Sequence, residues 1–140
     1  MKGEQYRRSI YIQARRSLKL SFLDAFDAPT MEPNCTKRPV STVAPQALIF
    51  MNNSFVIDQS RAMAKNLQAA AKDDLDAQLA TGWEYAFGCH TTPEQLSQSR
   101  EFVLRQTALF KERKDKTPEL TALSNYCQAL MSSNRFVYVY

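Results

Sequence analysis

The chain has little of what most active sites are built from. It holds one histidine, His90, and three widely separated cysteines, Cys35, Cys89 and Cys127. There is no CxxC, no CxxCH, no G-x-S-x-G, no H-E-x-x-H and no glycine-rich phosphate loop. An odd cysteine count without a pairing pattern speaks against a disulfide framework and against a zinc site. Glycine is scarce, at three residues, which argues against a β-rich chain of tight turns and for helices. The longest apolar run, Ala47–Met51, is far short of the roughly 20 residues a membrane-spanning helix needs. No apolar leader follows the polar, basic N-terminus, and Met1–Glu4 reads as an abrupt start. The chain reads as a piece of a larger protein.

What is present suits a soluble helical domain. At 140 residues a chain buries roughly 65–70% of its unfolded surface, enough for its own core. Apolar residues make up 44% and charged residues 23%, a globular rather than a disordered profile. The net charge of +4 is unevenly placed. Residues 1–40 carry eight Lys/Arg against four Asp/Glu, and residues 41–140 carry ten of each. The excess therefore lies in an N-terminal arm, chiefly Arg7, Arg8, Arg15, Arg16, Lys37 and Arg38. Such an arm can hold phosphate, an acidic partner, or an acidic neighbour in the same parent protein.

The richest segment is Arg38–Asn53, RPVSTVAPQALIFMNN. A hydroxyl pair, Pro45 in a first turn and a short apolar run predict a helix over about 44–51, plugged into a core. Asn52 or Asn53 fits a left-handed helix end. Ser54 can cap a second helix over about 55–72, with Val56, Met63, Leu67 and Ala70 on one face. Asp73 or Asp74 opens a third over about 75–87, where Leu75, Leu79, Trp83 and Phe87 recur at i+4 and Gly88 is the stop. Thr92-Pro93-Glu94-Gln95 is a capping box for a fourth helix, about 93–113, with Leu96, Val103 and Phe110 beside Phe102 and Leu109. Thr117-Pro118-Glu119 repeats that signal for a fifth, about 118–131, striped by Leu120, Leu123, Cys127, Leu130 and Met131. Residues 7–13 and Phe136–Tyr140 are strand-like, and a two-stranded ribbon between the termini is expected. The organisation is a single domain over 1–140: a basic arm at 1–40, a helical core at 41–135 and a terminal strand at 136–140.

Each candidate site has a structural alternative. Cys89-His90 is the one Cys–His neighbour pair, but adjacent loop residues rarely aim at one atom, so a solvent-facing loop is preferred to a nucleophile or metal site. Asp73, Asp74 and Asp76 cluster at a helix start, where carboxylates offset the dipole; calcium would need more oxygens at regular spacing. Tyr6, Tyr11 and the arm arginines mix rings and cations as single-stranded nucleic-acid sites do. Strand alternation, however, would divide that charge between two faces. Gln46, Asn52 and Asn53 read as polar fasteners, with Arg38 free to bond helix carbonyls or Asp24 or Asp27. Cys127 reads as a small buried hydrophobe.

Several blocks resemble domain-of-unknown-function family 1553. They are YRRSIYIQARRS at 6–17, FLDAFDAP at 22–29, RPVSTVAPQALIFMNNSFV at 38–56, YAFGCHTTPEQL at 85–96 and ALMSSNRFVYVY at 129–140. The resemblance implies the C-terminal part of a large exported bacterial protein of planctomycete type, in the periplasm or cell envelope. Relatives sometimes carry a cytochrome c-like region, but without CxxCH no haem role passes to this chain. The family offers no established catalytic residue. One departure stands out: after the glycine the family usually has arginine, and here Cys89 follows Gly88.

The reading is a mainly α bundle of about five helices with a terminal β-ribbon. Its role is read as a non-catalytic structural or interaction module without a cofactor, engaging other domains of its parent or envelope material. The interacting residues would be Arg7, Arg8, Arg15, Arg16, Arg38 and Gln46. The alternatives are an accessory part of a polysaccharide-related or redox enzyme with its catalytic groups elsewhere in the parent, and nucleic-acid binding through the arm.

Overall fold

Six helices account for most of the computed structural model, which describes Tyr11, Phe26 and residues 43–138. They are α1 (Val43–Asn52), α2 (Ser54–Ala70), α3 (Leu75–Phe87), α4 (Pro93–Glu112), α5 (Pro118–Met131) and α6 (Asn134–Val137). The residues fall into two compact units, Met1–Gln46 and Ala47–Tyr140. Of the first, Gln46 is buried and Tyr11 is exposed in a 3-10 turn. Arg7, Arg8, Arg15, Arg16 and Arg38 lie outside the described residues.

Local chemistry sets the ends of the helices in the second unit. Asn53 caps α2, its side chain accepting from the Phe55 N–H at 2.9 Å, so Asn53 rather than Ser54 is the cap. It has φ −74°, not a left-handed conformation, because it opens the next helix rather than closing the last. Asn52 instead donates back to the Leu48 carbonyl at 3.1 Å. Asp74 caps α3 by accepting from Ala77 N–H at 3.0 Å. Gly88 closes α3 in the left-handed region at φ 66°, where a Cβ would be strained. Thr92 and Gln95 form the full reciprocal box, with bonds of 3.2 and 2.9 Å. Thr117 makes no side-chain cap. Asp115 takes over, accepting from the Thr117 N–H at 2.8 Å and the Thr121 hydroxyl at 3.2 Å.

Helix α5 is the axis of packing, lying chiefly against α2 and α4 and touching α3 and α6. The core it organises comprises Ala64, Leu67, Leu79, Val103, Ala122, Leu123, Tyr126, Cys127 and Leu130. Burying one Leu-sized side chain is worth about 1.5–3 kcal/mol, so this cluster dominates the unit's stability. The α2 stripe is centred differently from the expected one. It runs Val56, Ser60, Ala64, Leu67, and Ala70 is exposed. Ser60 fits inside because its hydroxyl donates to the Val56 carbonyl at 2.7 Å. On α4, Val103 is buried while Leu109 is exposed, one step past the edge of the stripe. Gly82 lets α3 approach: a Cβ there would stand 3.0 Å from Leu67 Cδ1 and 3.3 Å from Tyr126 Cε1.

Two expectations need correction. No strand occurs among the described residues; Phe136 and Val137 lie in α6. The Ser133 hydroxyl accepts from the Phe136 N–H at 3.3 Å, and this local cap outweighs the strand preference of FVYVY. Val139, Tyr140 and most of the N-terminal half of the expected ribbon fall outside the described residues. Nor are the apolar residues of α1 plugged wholesale into a core. Leu48 is 58% and Met51 63% exposed, with Ile49 and Phe50 only half-buried.

Candidate functional site

Four of the exposed large apolar residues lie on the stretch of chain where α1 meets α2. Leu48, Met51, Phe55 and Ile57 all stand in solvent within ten residues of chain. Leu48 and Met51 are one helical turn apart and share a face. A side chain of α5 braces the end of α1. Gln128, on α5, donates from Nε2 to the Phe50 carbonyl at 2.9 Å and to the Met51 carbonyl at 3.0 Å. Helix α1 has no basic residue in its last turn, and α2 begins almost at once, so these carbonyls need an outside donor. Gln78 performs the same service at the end of α2. It is 6% exposed and donates to the Ala71 carbonyl at 2.7 Å and the Lys72 carbonyl at 3.1 Å. Sequence reading missed both glutamines: Gln128 acts across more than seventy residues, and Gln78 reaches back across a helix break, outside any capping-box spacing.

A second feature lies on the α3–α6 side. Trp83 and Phe87 pack edge to face, with centroids 4.7 Å apart. Arg135 places its guanidinium 5.0 Å from the Phe87 centroid and 5.9 Å from that of Trp83. Its Nη2 donates to Cys89 Sγ at 2.9 Å. Beside it opens a cleft of about 350 Å³, walled by Trp83, Phe87, Phe102, Tyr126 and Leu130 with Arg135. Within that wall Tyr126 donates to the Leu79 carbonyl at 3.0 Å, and Ser99 is hydrogen-bonded to Tyr126. Trp83 Nε1 is buried without a hydrogen-bond partner among the described residues.

The remaining candidates have local employment. His90 is almost fully exposed and pairs with Glu84 one turn before the end of α3. Cys89 turns to Arg135 rather than to His90, so the neighbours do not converge. Asp74 is a cap, while Asp76 Oδ2 accepts from Arg100 Nη1 at 2.7 Å and ties α3 to α4. Asp76 Oδ1 is buried without a hydrogen-bond partner among the described residues. Among the described residues no group of three or more His, Cys, Asp or Glu could hold a metal ion. Cys127 is fully buried, and burial pushes its thiol up to about 12, so it stays protonated at neutral pH. Desolvation likewise raises Tyr126 to about 12. Lys111, at 2.9 Å from Glu119, holds that carboxyl below its ordinary range. Gln46 is 8% exposed. No helix among the described residues is long and apolar enough to cross a membrane.

No curated protein and no solved structure matches the chain. One family pattern does, that of a protein of unknown function (DUF1553), over residues 1–103. The match takes in the arm, α1 to α3 and half of α4, and stops short of the 129–140 block. It covers most of the sequence, and the chain belongs to this family.

Proposed function

We propose that this chain is a non-catalytic interaction module, the C-terminal piece of a longer exported protein, and that its α1–α2 ledge packs against another domain of that parent. The observation that carries the reading is the exposure of Leu48 and Met51 on a helix whose sequence is otherwise built for burial. Scattered exposed apolar residues are ordinary, but Leu48 and Met51 share one face of α1, the kind of paired apolar surface that partners cover. The employment of His90, Cys127 and Asp74 in pairing, packing and capping supports a role without chemistry. The arm residues Arg7, Arg8, Arg15, Arg16 and Arg38 are a separate candidate contact, suited by their charge to an acidic surface. Envelope material is the other occupant that the charge of the arm suits. Nucleic-acid binding by the arm rests only on its mix of rings and cations, and an accessory role in a polysaccharide-related or redox enzyme only on the family resemblance.

The test uses the portion of the parent encoded beside this chain, titrated with it in a calorimeter. Binding should weaken by about tenfold or more in the Leu48→Ser/Met51→Ser variant, as loss of central apolar anchors does. Deleting residues 1–20 should weaken it further and flatten its salt dependence. Equal binding by the double variant and the unaltered chain refutes the ledge.

A further inference from the structure

The cleft beside Arg135 lies apart from that ledge in sequence, and its chemistry is distinct. We propose that it binds a small monocarboxylic acid, with the carboxylate on Arg135 and an apolar body between the aromatic walls. The volume of about 350 Å³ sits at the small end of the roughly 300–1,000 Å³ typical of small-molecule sites. Its aromatic walls favour a flat ring or short chain.

Charge decides the class. Among the described residues no Asp or Glu lines the cleft. The ion pairs among the described residues are His90–Glu84, Arg100–Asp76 and Lys111–Glu119, and none includes Arg135. Its guanidinium is steadied by two ring faces and a sulfur, which leaves most of its five N–H donors without an acceptor among the described residues. The neutral polar groups nearby are mostly committed. Ser133 caps α6 and donates to the Leu130 carbonyl at 2.7 Å, and Tyr126 donates to Leu79. What remains at the cleft is Arg135 at the rim and the Gln98 amide, whose Nε2 donates to Glu94 at 3.5 Å; Arg135 is the one charged group among the described lining residues. A ligand must therefore bring acceptors and negative charge. A planar carboxylate fits one guanidinium fork, whereas a phosphate would call for further cations, and Arg135 is the one cation among the described lining residues.

Trp83 is the chain's only tryptophan, so its fluorescence reports on this site alone. The full chain is titrated with 3-phenylpropionate and with 3-phenylpropan-1-ol, a neutral ligand of similar shape. A saturable change with the acid is expected, and about tenfold weaker binding of the alcohol, the value of one charge-assisted bond. Arg135→Gln should weaken the acid about tenfold and leave the alcohol unchanged. No saturable change at millimolar acid overturns the proposal. So does an alcohol that binds as tightly as the acid in the unaltered chain, a result independent of how any variant folds.

Discussion

Helix α5 buries Ala122, Leu123, Tyr126, Cys127 and Leu130, whereas α1, with the higher mean hydropathy, leaves Leu48 and Met51 in solvent. The contrast shows that apolar content and burial are separate properties. Helix α5 is surrounded: α2 and α4 flank it, and α3 and α6 close on it. Helix α1 is anchored on this unit by a polar device, the Gln128 amide on two end carbonyls. One helix supplies stability; the other, on the account given above, supplies a surface.

The largest effects should come from α5 and its neighbours. Leu123→Ala removes a fully packed side chain and should cost about 2–5 kcal/mol in denaturant unfolding. A loss below about 1 kcal/mol would mean that the α2–α4–α5 core collapses around the gap. Alkali attacks the same core. The folded-state values of Cys127 and Tyr126 are raised to about 12, from ordinary values of 9.0 and 10.0. Each therefore contributes stability that is fully present below its ordinary value and is lost as pH rises towards 12. Unfolding free energy should be level near neutrality and fall from about pH 9 upward, and Cys127→Ala should delay that fall.

Intermediate effects belong to close approaches and end caps. Gly82→Ala gains up to about 1 kcal/mol of helix propensity, but its Cβ meets Leu67 at 3.0 Å, and overpacking costs about 1–3 kcal/mol. Net destabilisation, seen as a lower Tm, is expected; a raised Tm would show that the Leu67 side chain yields freely. Gln128→Ala should cost about 1 kcal/mol and speed amide exchange in α1 while leaving α5 protected. Uniformly faster exchange would contradict the view that Gln128 serves α1 alone.

The positions of the helices were legible in the sequence because their signals are local. Asp74, Gly88 and the Thr92–Gln95 box act within a few residues, and all three do what their spacing implies. The stripes of α3 and α5 were legible for the same reason. What could not be read was anything decided by distant partners. FVYVY has strand composition, but a cap at Ser133 turns Phe136 and Val137 into helix. Ala70 and Leu109 belong to plausible stripes and face water, because neighbouring helices and not periodicity choose the buried edge. The Arg135–Trp83 contact joins α6 to α3 across more than fifty residues, and no motif announces it. The arginines of the arm were conspicuous as charge, yet charge alone does not name a partner.

The smallest expected effect on stability is also the most discriminating. Leu48→Ser/Met51→Ser alters solvent-exposed side chains and should shift unfolding free energy by no more than about 0.5 kcal/mol per site. Calorimetric titration of that variant with the adjoining portion of the proposed parent protein is the decisive measurement. The account predicts a folded variant whose binding is weakened by about tenfold or more. Binding as tight as that of the unaltered chain would contradict it.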